Sequence, residues 1–224
     1  MLSVILPCLG LGISSFIMIS TESVLSISFT TSLSKFGGDV AVGAMTVLTS
    51  INQLITMPLS GVCQGGQPLI SYNYGAKKLD RVKEAFFCQF GVCVAYTTLF
   101  WAAMMIFPNF FAGIFTSDAA LVDYTAWAIR VFLACGFSVG FQISCQQAFM
   151  ALGQAKISLV MALLRKVILL IPLIFILPNF FADKAFAVFL AEPVADIIAA
   201  AVTTFMFFRF FIKMLRSGRI ETNG

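Results

Sequence analysis

Three carboxyl groups stand inside long apolar runs of this 224-residue sequence: Glu22, Glu192 and Asp196. A carboxylate in hydrocarbon is costly when charged, so it must take up a proton, bind a cation or pair with a basic side chain. A group able to do more than one of these can trade an ion between two conformations. Glu22 is the sharpest of the three. It sits among Ser14, Ser15, Ser20, Thr21, Ser23, Ser26 and Ser28, about 5 Å past the middle of its run at 1.5 Å per residue. Ser15, Glu22 and Ser26 fall near one helical face beside Met18 and Leu25, a mixed polar and apolar cavity wall that could hold a proton or a sodium ion. The alternative is a neutral glutamic acid hydrogen-bonded to a neighbouring helix as glue.

Glu192 and Asp196 are four residues apart and share a face on either side of Pro193, whose missing N–H loosens a helix. Arg165 and Lys166 enter a comparable depth from the opposite side. A structural Arg165–Asp196 ion pair and a proton relay through the two acids are both open. Amides recur near the middle of two other runs, Asn52 with Gln53, and Gln142, Gln146 and Gln147. They either line a substrate path or bond helix to helix. Cysteine does not carry the chemistry: the six cysteines form no CxxC pair and no histidine is present, so no metal centre is expected. No phosphate-binding loop, nucleophile elbow or HExxH pattern occurs, which speaks against an enzyme. No cofactor is expected, and work done by this chain would draw on a proton or sodium gradient.

The elements that must hold these groups are membrane helices. Apolar residues make up 60% of the chain and charged residues 11%, against about 25% charged in a soluble domain. Six apolar runs are expected to span: 4–33, 40–62, 85–107, 124–150, 157–177 and 185–208. Together they form one transmembrane lobe, residues 1–216, followed by a cytoplasmic tail, 217–224. A cleavable signal is not expected, because no cation precedes Lys35 and the first run is too long. Cations fix the orientation. Lys77, Lys78, Arg81 and Lys83, then Lys156, then Arg209, Lys213, Arg216 and Arg219 fall on one side, which the positive-inside rule makes cytoplasmic, with both termini. The net charge of +4 suits lipid headgroups, and no nucleic-acid partner is expected. FPNFFAGIF from Phe107 and LPNFFADKAF from Leu177 end the third and fifth runs on the opposite face.

The stretch from Gln67, QPLISYNYGAKKLDRVKEAF, has Gly65, Gly66 and Pro68 weakening the helix before the basic loop, with Gln67, Pro68, Asn73 and Gly75 as its signature residues. With QAFMALGQAKISLVMALLRKVILLIPLIFILP from Gln147 and EPVADII in the last run, it resembles the C-terminal half of multidrug and toxic compound extrusion transporters of prokaryotes. The resemblance implies an all-α membrane protein whose six helices form one lobe of a two-lobe transporter, with a cavity between lobes that opens to each side in turn. It implies antiport of organic cations or amphipathic drugs against protons or sodium ions. It places Glu22 at the acidic position of the lobe's first helix and Asp196 at that of the last. Two departures accompany it. Six spans are expected here where the family has twelve, so a second six-helix lobe must come from a missing N-terminal half or a partner chain. The fourth run offers only Gln142, Gln146 and Gln147 where several members carry an acid. Competing readings are a membrane structural or assembly protein or truncated product without transport, and a lipid-linked oligosaccharide flippase, whose cavity should hold more cations.

Overall fold

A computed structural model describes the backbone of residues 2–222 and the side chains of residues 20–216. Ser15 and Met18 of the expected cavity wall therefore lie outside the described residues. Every regular element among the described residues is helical, as apolar segments without water partners for their backbone require. The elements are α1 (Leu2–Gly75), α2 (Leu79–Ile106), α3 (Pro108–Gly113), α4 (Ala119–Phe132), α5 (Ser138–Ala151), α6 (Ala155–Leu163), a π-helical segment (Leu164–Leu170), α7 (Ile171–Ile176), a 3-10 turn (Leu177–Asn179) and α8 (Lys184–Thr222).

Helix α1 is two helices joined at a break. Gly38 has φ 67° and ψ −164°, a backbone conformation reserved for a residue without Cβ. Within the two arms, hydroxyls turn back onto their own helix: Ser28 donates to the Val24 carbonyl, Thr46 to Val42, Thr49 to Met45 and Thr56 to Asn52. In hydrocarbon this satisfies a polar group with no help from water. Four helical stretches, Ser20–Gly75, Leu79–Ile106, Ala155–Asn179 and Lys184–Arg216, are long and apolar enough to cross a membrane by length and composition.

Two helix limits differ from the sequence expectation. The apolar run ending at 62 was expected to break near Gly65, Gly66 and Pro68, yet the helix continues to Gly75. Packing overrides local propensity here. Ile70 is buried against Phe86 and Phe149, Ser71 Oγ donates to the Ala151 carbonyl at 2.9 Å, and Asn73 Nδ2 donates to the Leu69 carbonyl at 2.8 Å. The expected run 124–150 is instead divided into α4 and α5. The Leu133 carbonyl at the division accepts from the Trp101 indole at 2.8 Å and from the Gly136 N–H at 2.9 Å. These two donors replace the intrahelical bond that an unbroken helix would make.

Three packed zones hold the helices together. The largest joins Leu33, Leu48 and Ile51 of α1 to Ile129 and Phe132 of α4, Ile174 of α7 and Phe189 of α8. A second is aromatic, with the Phe86 ring 4.6 Å from Phe207 and 5.1 Å from Phe211 between ring centres. The third is small and contains Leu59, Cys63, Cys93 and Val139. Here α2 and α5 touch at Gly140, where a Cβ would lie 2.3 Å from Thr97 Oγ1 and 2.9 Å from the Cys93 carbonyl oxygen. The two prolines of the FPNFF and LPNFF stretches are both buried, but one starts a short α-helix and the other lies in a 3-10 turn. At that end of the bundle Lys35 and Lys184 both stand over the Phe36 ring, 5.4 and 5.3 Å from its centre.

Candidate functional site

The π-helical segment sets the site. Pro172 has no N–H to return to the Ile168 carbonyl, and the Ile171 N–H reaches back five residues to the Lys166 carbonyl. Such one-turn π insertions recur at functional positions in helices. Here the segment carries two consecutive cations, and they go to different helices. Arg165 turns to α8, where its Nε lies 2.6 Å from Asp196 Oδ1 and its Nη2 lies 2.5 Å from the same oxygen and 3.0 Å from Glu192 Oε1. Lys166 turns to α1 and pairs through Nζ with Glu22 Oε1. Pro193, which lies between the two α8 acids, is itself buried.

Exposure separates the two pairs. Glu192 and Asp196 are buried and Arg165 is largely shielded, whereas the Glu22 side chain is 61% exposed and the Lys166 side chain 17%. The two sets of contacts are joined through the backbone, because Arg165 and Lys166 are consecutive on the π segment. Two cations face three carboxyl groups, so the cluster carries one negative charge too many when all five are ionised. Among the described residues, no group of three or more His, Cys, Asp or Glu side chains is placed to hold a metal ion.

The structure thus brings together Glu22, Arg165, Lys166, Glu192 and Asp196, and the Glu22–Lys166 partnership is one that sequence spacing did not reveal. Ser26 and Gln53 are exposed and Asn52 is half-buried, all on α1. Gln142 is buried, with an Oε1 that has no hydrogen-bond partner. Gln146 is taken up between helices: its Nε2 lies 3.5 Å from the Ser158 carbonyl, and Ser158 Oγ donates back to the Gln146 carbonyl at 3.2 Å. Gln67 is half-buried, Pro68 and Gly75 are exposed, and the Asn73 side chain donates to the Leu69 carbonyl of its own helix. None of these four joins the charged cluster in a hydrogen bond or ion pair.

The MatE family model matches residues 14–176. "Multidrug export protein MepA" of Staphylococcus aureus (strain N315) is 25% identical over 173 residues, covering 76% of this chain and 37% of that protein. The "FAD transporter" of Shewanella oneidensis is 28% identical over 159 residues, covering 70% of this chain and 34% of its own length. Among solved structures, the MATE multidrug transporter DinF-BH superimposes with a TM-score of 0.75 at 31% identity, covering 88% of this chain and 44% of that one. A MATE structure in a bent conformation gives a TM-score of 0.85 at 15% identity, with 93% and 46% coverage. The chain spans less than half the length of each of these relatives.

Proposed function

The chain belongs to the MatE family, and we propose that it is one six-span lobe of a secondary multidrug efflux transporter, working with a second lobe. The spans are the two arms of α1, then α2, then α4 with α5, then α6 through α7, then α8. Both termini and the basic loop after Gly75 lie on the cytoplasmic side, in keeping with the distribution of cations. The driving force is an inward flow of protons or sodium ions, and the cargo is an organic cation or amphipathic drug. Glu22, Glu192 and Asp196 are the acids that couple the ion to the drug, and their charge is shared between the two.

The observation that supports this reading most is the charged cluster itself. Ionisable groups within membrane helices are retained where they serve a pathway. One negative charge in excess is what a site needs to hold one proton or one monovalent cation. Both deep cations are already engaged by carboxylates, which favours a cationic ligand over an anionic one such as a flavin dinucleotide or a lipid pyrophosphate. The names of two relatives, a multidrug export protein and a multidrug transporter, point the same way.

The test is Glu22→Gln in vesicles that contain the complete two-lobe assembly. Ion-driven efflux of ethidium is abolished while the amount of folded protein is unchanged. Undiminished efflux at equal expression would remove Glu22 from the mechanism.

A further inference from the structure

We propose that Lys166 is a tethered counter-cation that an organic cation displaces from Glu22, and that the released ammonium then expels the coupling ion from Glu192 and Asp196. The proposal rests on the efflux reading and supplies its exchange step.

Three observations carry it. First, the Glu22–Lys166 pair is the accessible one, since Glu22 is mostly exposed while the acids bound to Arg165 are buried. A ligand arriving from a cavity meets Glu22 first. Second, the two cations are held unequally. Arg165 makes three close contacts to two acids through a rigid fork, whereas Lys166 holds one carboxylate oxygen with a compact charge on a flexible stem. Lys166 is the one that can let go. Third, a second destination is at hand. Arg165 and Lys166 are consecutive on the π segment, and the neighbouring Arg165 already reaches both α8 acids. One positive charge satisfies only half of the Glu192 and Asp196 pair, so the remaining negative charge must hold a proton or a sodium ion or receive Lys166.

The charges balance through the exchange. Before it, Glu22 is neutralised by Lys166, and Glu192 with Asp196 by Arg165 and one bound ion. Afterwards Glu22 is neutralised by the organic cation, Lys166 has joined Arg165 at the two α8 acids, and one proton or sodium ion has left. One monovalent organic cation enters for one ion released. The cluster never carries an uncompensated charge, which in hydrocarbon would be prohibitive. An organic cation that is large and weakly hydrated, such as tetraphenylphosphonium, suits Glu22 because it gives up its hydration at little cost.

The experiment is residue-resolved labelling of the full chain, purified in detergent, by a lipophilic carbodiimide in sodium-free buffer, read by mass spectrometry. The reagent modifies protonated carboxyls in apolar surroundings. In the wild type, labelling falls on Glu192 and Asp196, Glu22 is spared, and tetraphenylphosphonium suppresses the labelling of the two α8 acids. In Lys166→Met, Glu22 becomes labelled about fivefold faster, from the loss of one accessible ion pair. Tetraphenylphosphonium then protects Glu22 but no longer protects Glu192 or Asp196. Lys166→Arg keeps the charge and keeps Glu22 spared, which separates charge from folding. Equal labelling of Glu22 in the wild type and Lys166→Met, or α8 acids indifferent to tetraphenylphosphonium in the wild type, overturns the exchange. Efflux of dye is a separate readout. An assembly that shows the labelling pattern but moves no dye sinks the efflux reading and leaves the exchange standing.

Discussion

At the scale of single residues, depth and surroundings separate two kinds of ion pair. Arg165 is a shielded cation held by two buried acids, so its removal leaves carboxyls without a partner. Arg165→Met should destabilise the lobe by about 3–5 kcal/mol, the usual cost of breaking a buried pair from one side. Adding Glu192→Gln and Asp196→Asn should recover much of that loss. Cys63, Cys93 and Cys145 are buried free thiols, so their reaction with a fluorogenic maleimide on heating reads the unfolding directly. Glu22→Gln, at an exposed position, should shift the same curve by less than about 1 kcal/mol. The three acids were legible in the sequence because a carboxyl in a long apolar run has few innocent explanations. Matching depths made the Arg165–Asp196 pair one of two open readings, and the structure contains that pair. The Glu22–Lys166 pair was not legible, because it depends on a π turn that sends two neighbouring side chains to different helices, and helical periodicity alone does not reveal such a turn.

At the scale of elements, the π segment and the close approach of α2 to α5 are the features to disturb. Pro172→Ala restores an N–H to the helix, so the segment should relax towards regular α-helix and weaken one of the two pairings made by Arg165 and Lys166. The labelling of Glu22 described above would rise if the Lys166 pairing is the one lost. Gly140→Ala places a Cβ against the Cys93 carbonyl as well as the Thr97 hydroxyl, and a backbone atom cannot step aside alone. The expected cost is about 1–3 kcal/mol, seen as earlier maleimide reaction at Cys93. The apolar runs announced where helices lie, but not where they end. Pro68 and two glycines suggested a stop that Ile70, Ser71 and Asn73 override by packing and bonding across to α5 and within α1. The division of the run 124–150 comes from Trp101, a residue distant in sequence whose indole takes the Leu133 carbonyl. Long-range partners of this kind leave no local trace.

At the scale of the whole molecule, the helix ends sort into two groups. Phe36 brings Lys35 and Lys184 to one end, while Ile70, Phe86, Phe149 and Phe211 gather at another zone beside the basic loop. On the topology proposed above, single cysteines at Lys83 and Lys213 should react with an impermeant maleimide only from the inside, and cysteines at Asp118 and Asp183 only from the outside. Reaction of all four from one side would remove the proposed topology. The chain covers less than half of each relative described above, and in the proposed assembly the second lobe faces the exposed Glu22. In the proposed two-lobe transporter, drug exit is coupled to ion entry, and ethidium is a suitable cargo to follow it. The most direct test of this coupling is ethidium efflux from vesicles containing the two-lobe assembly under an imposed proton or sodium gradient. Efflux should accelerate with the gradient and stop when an ionophore collapses it. A rate equal to that of protein-free vesicles under both gradients would contradict the coupling.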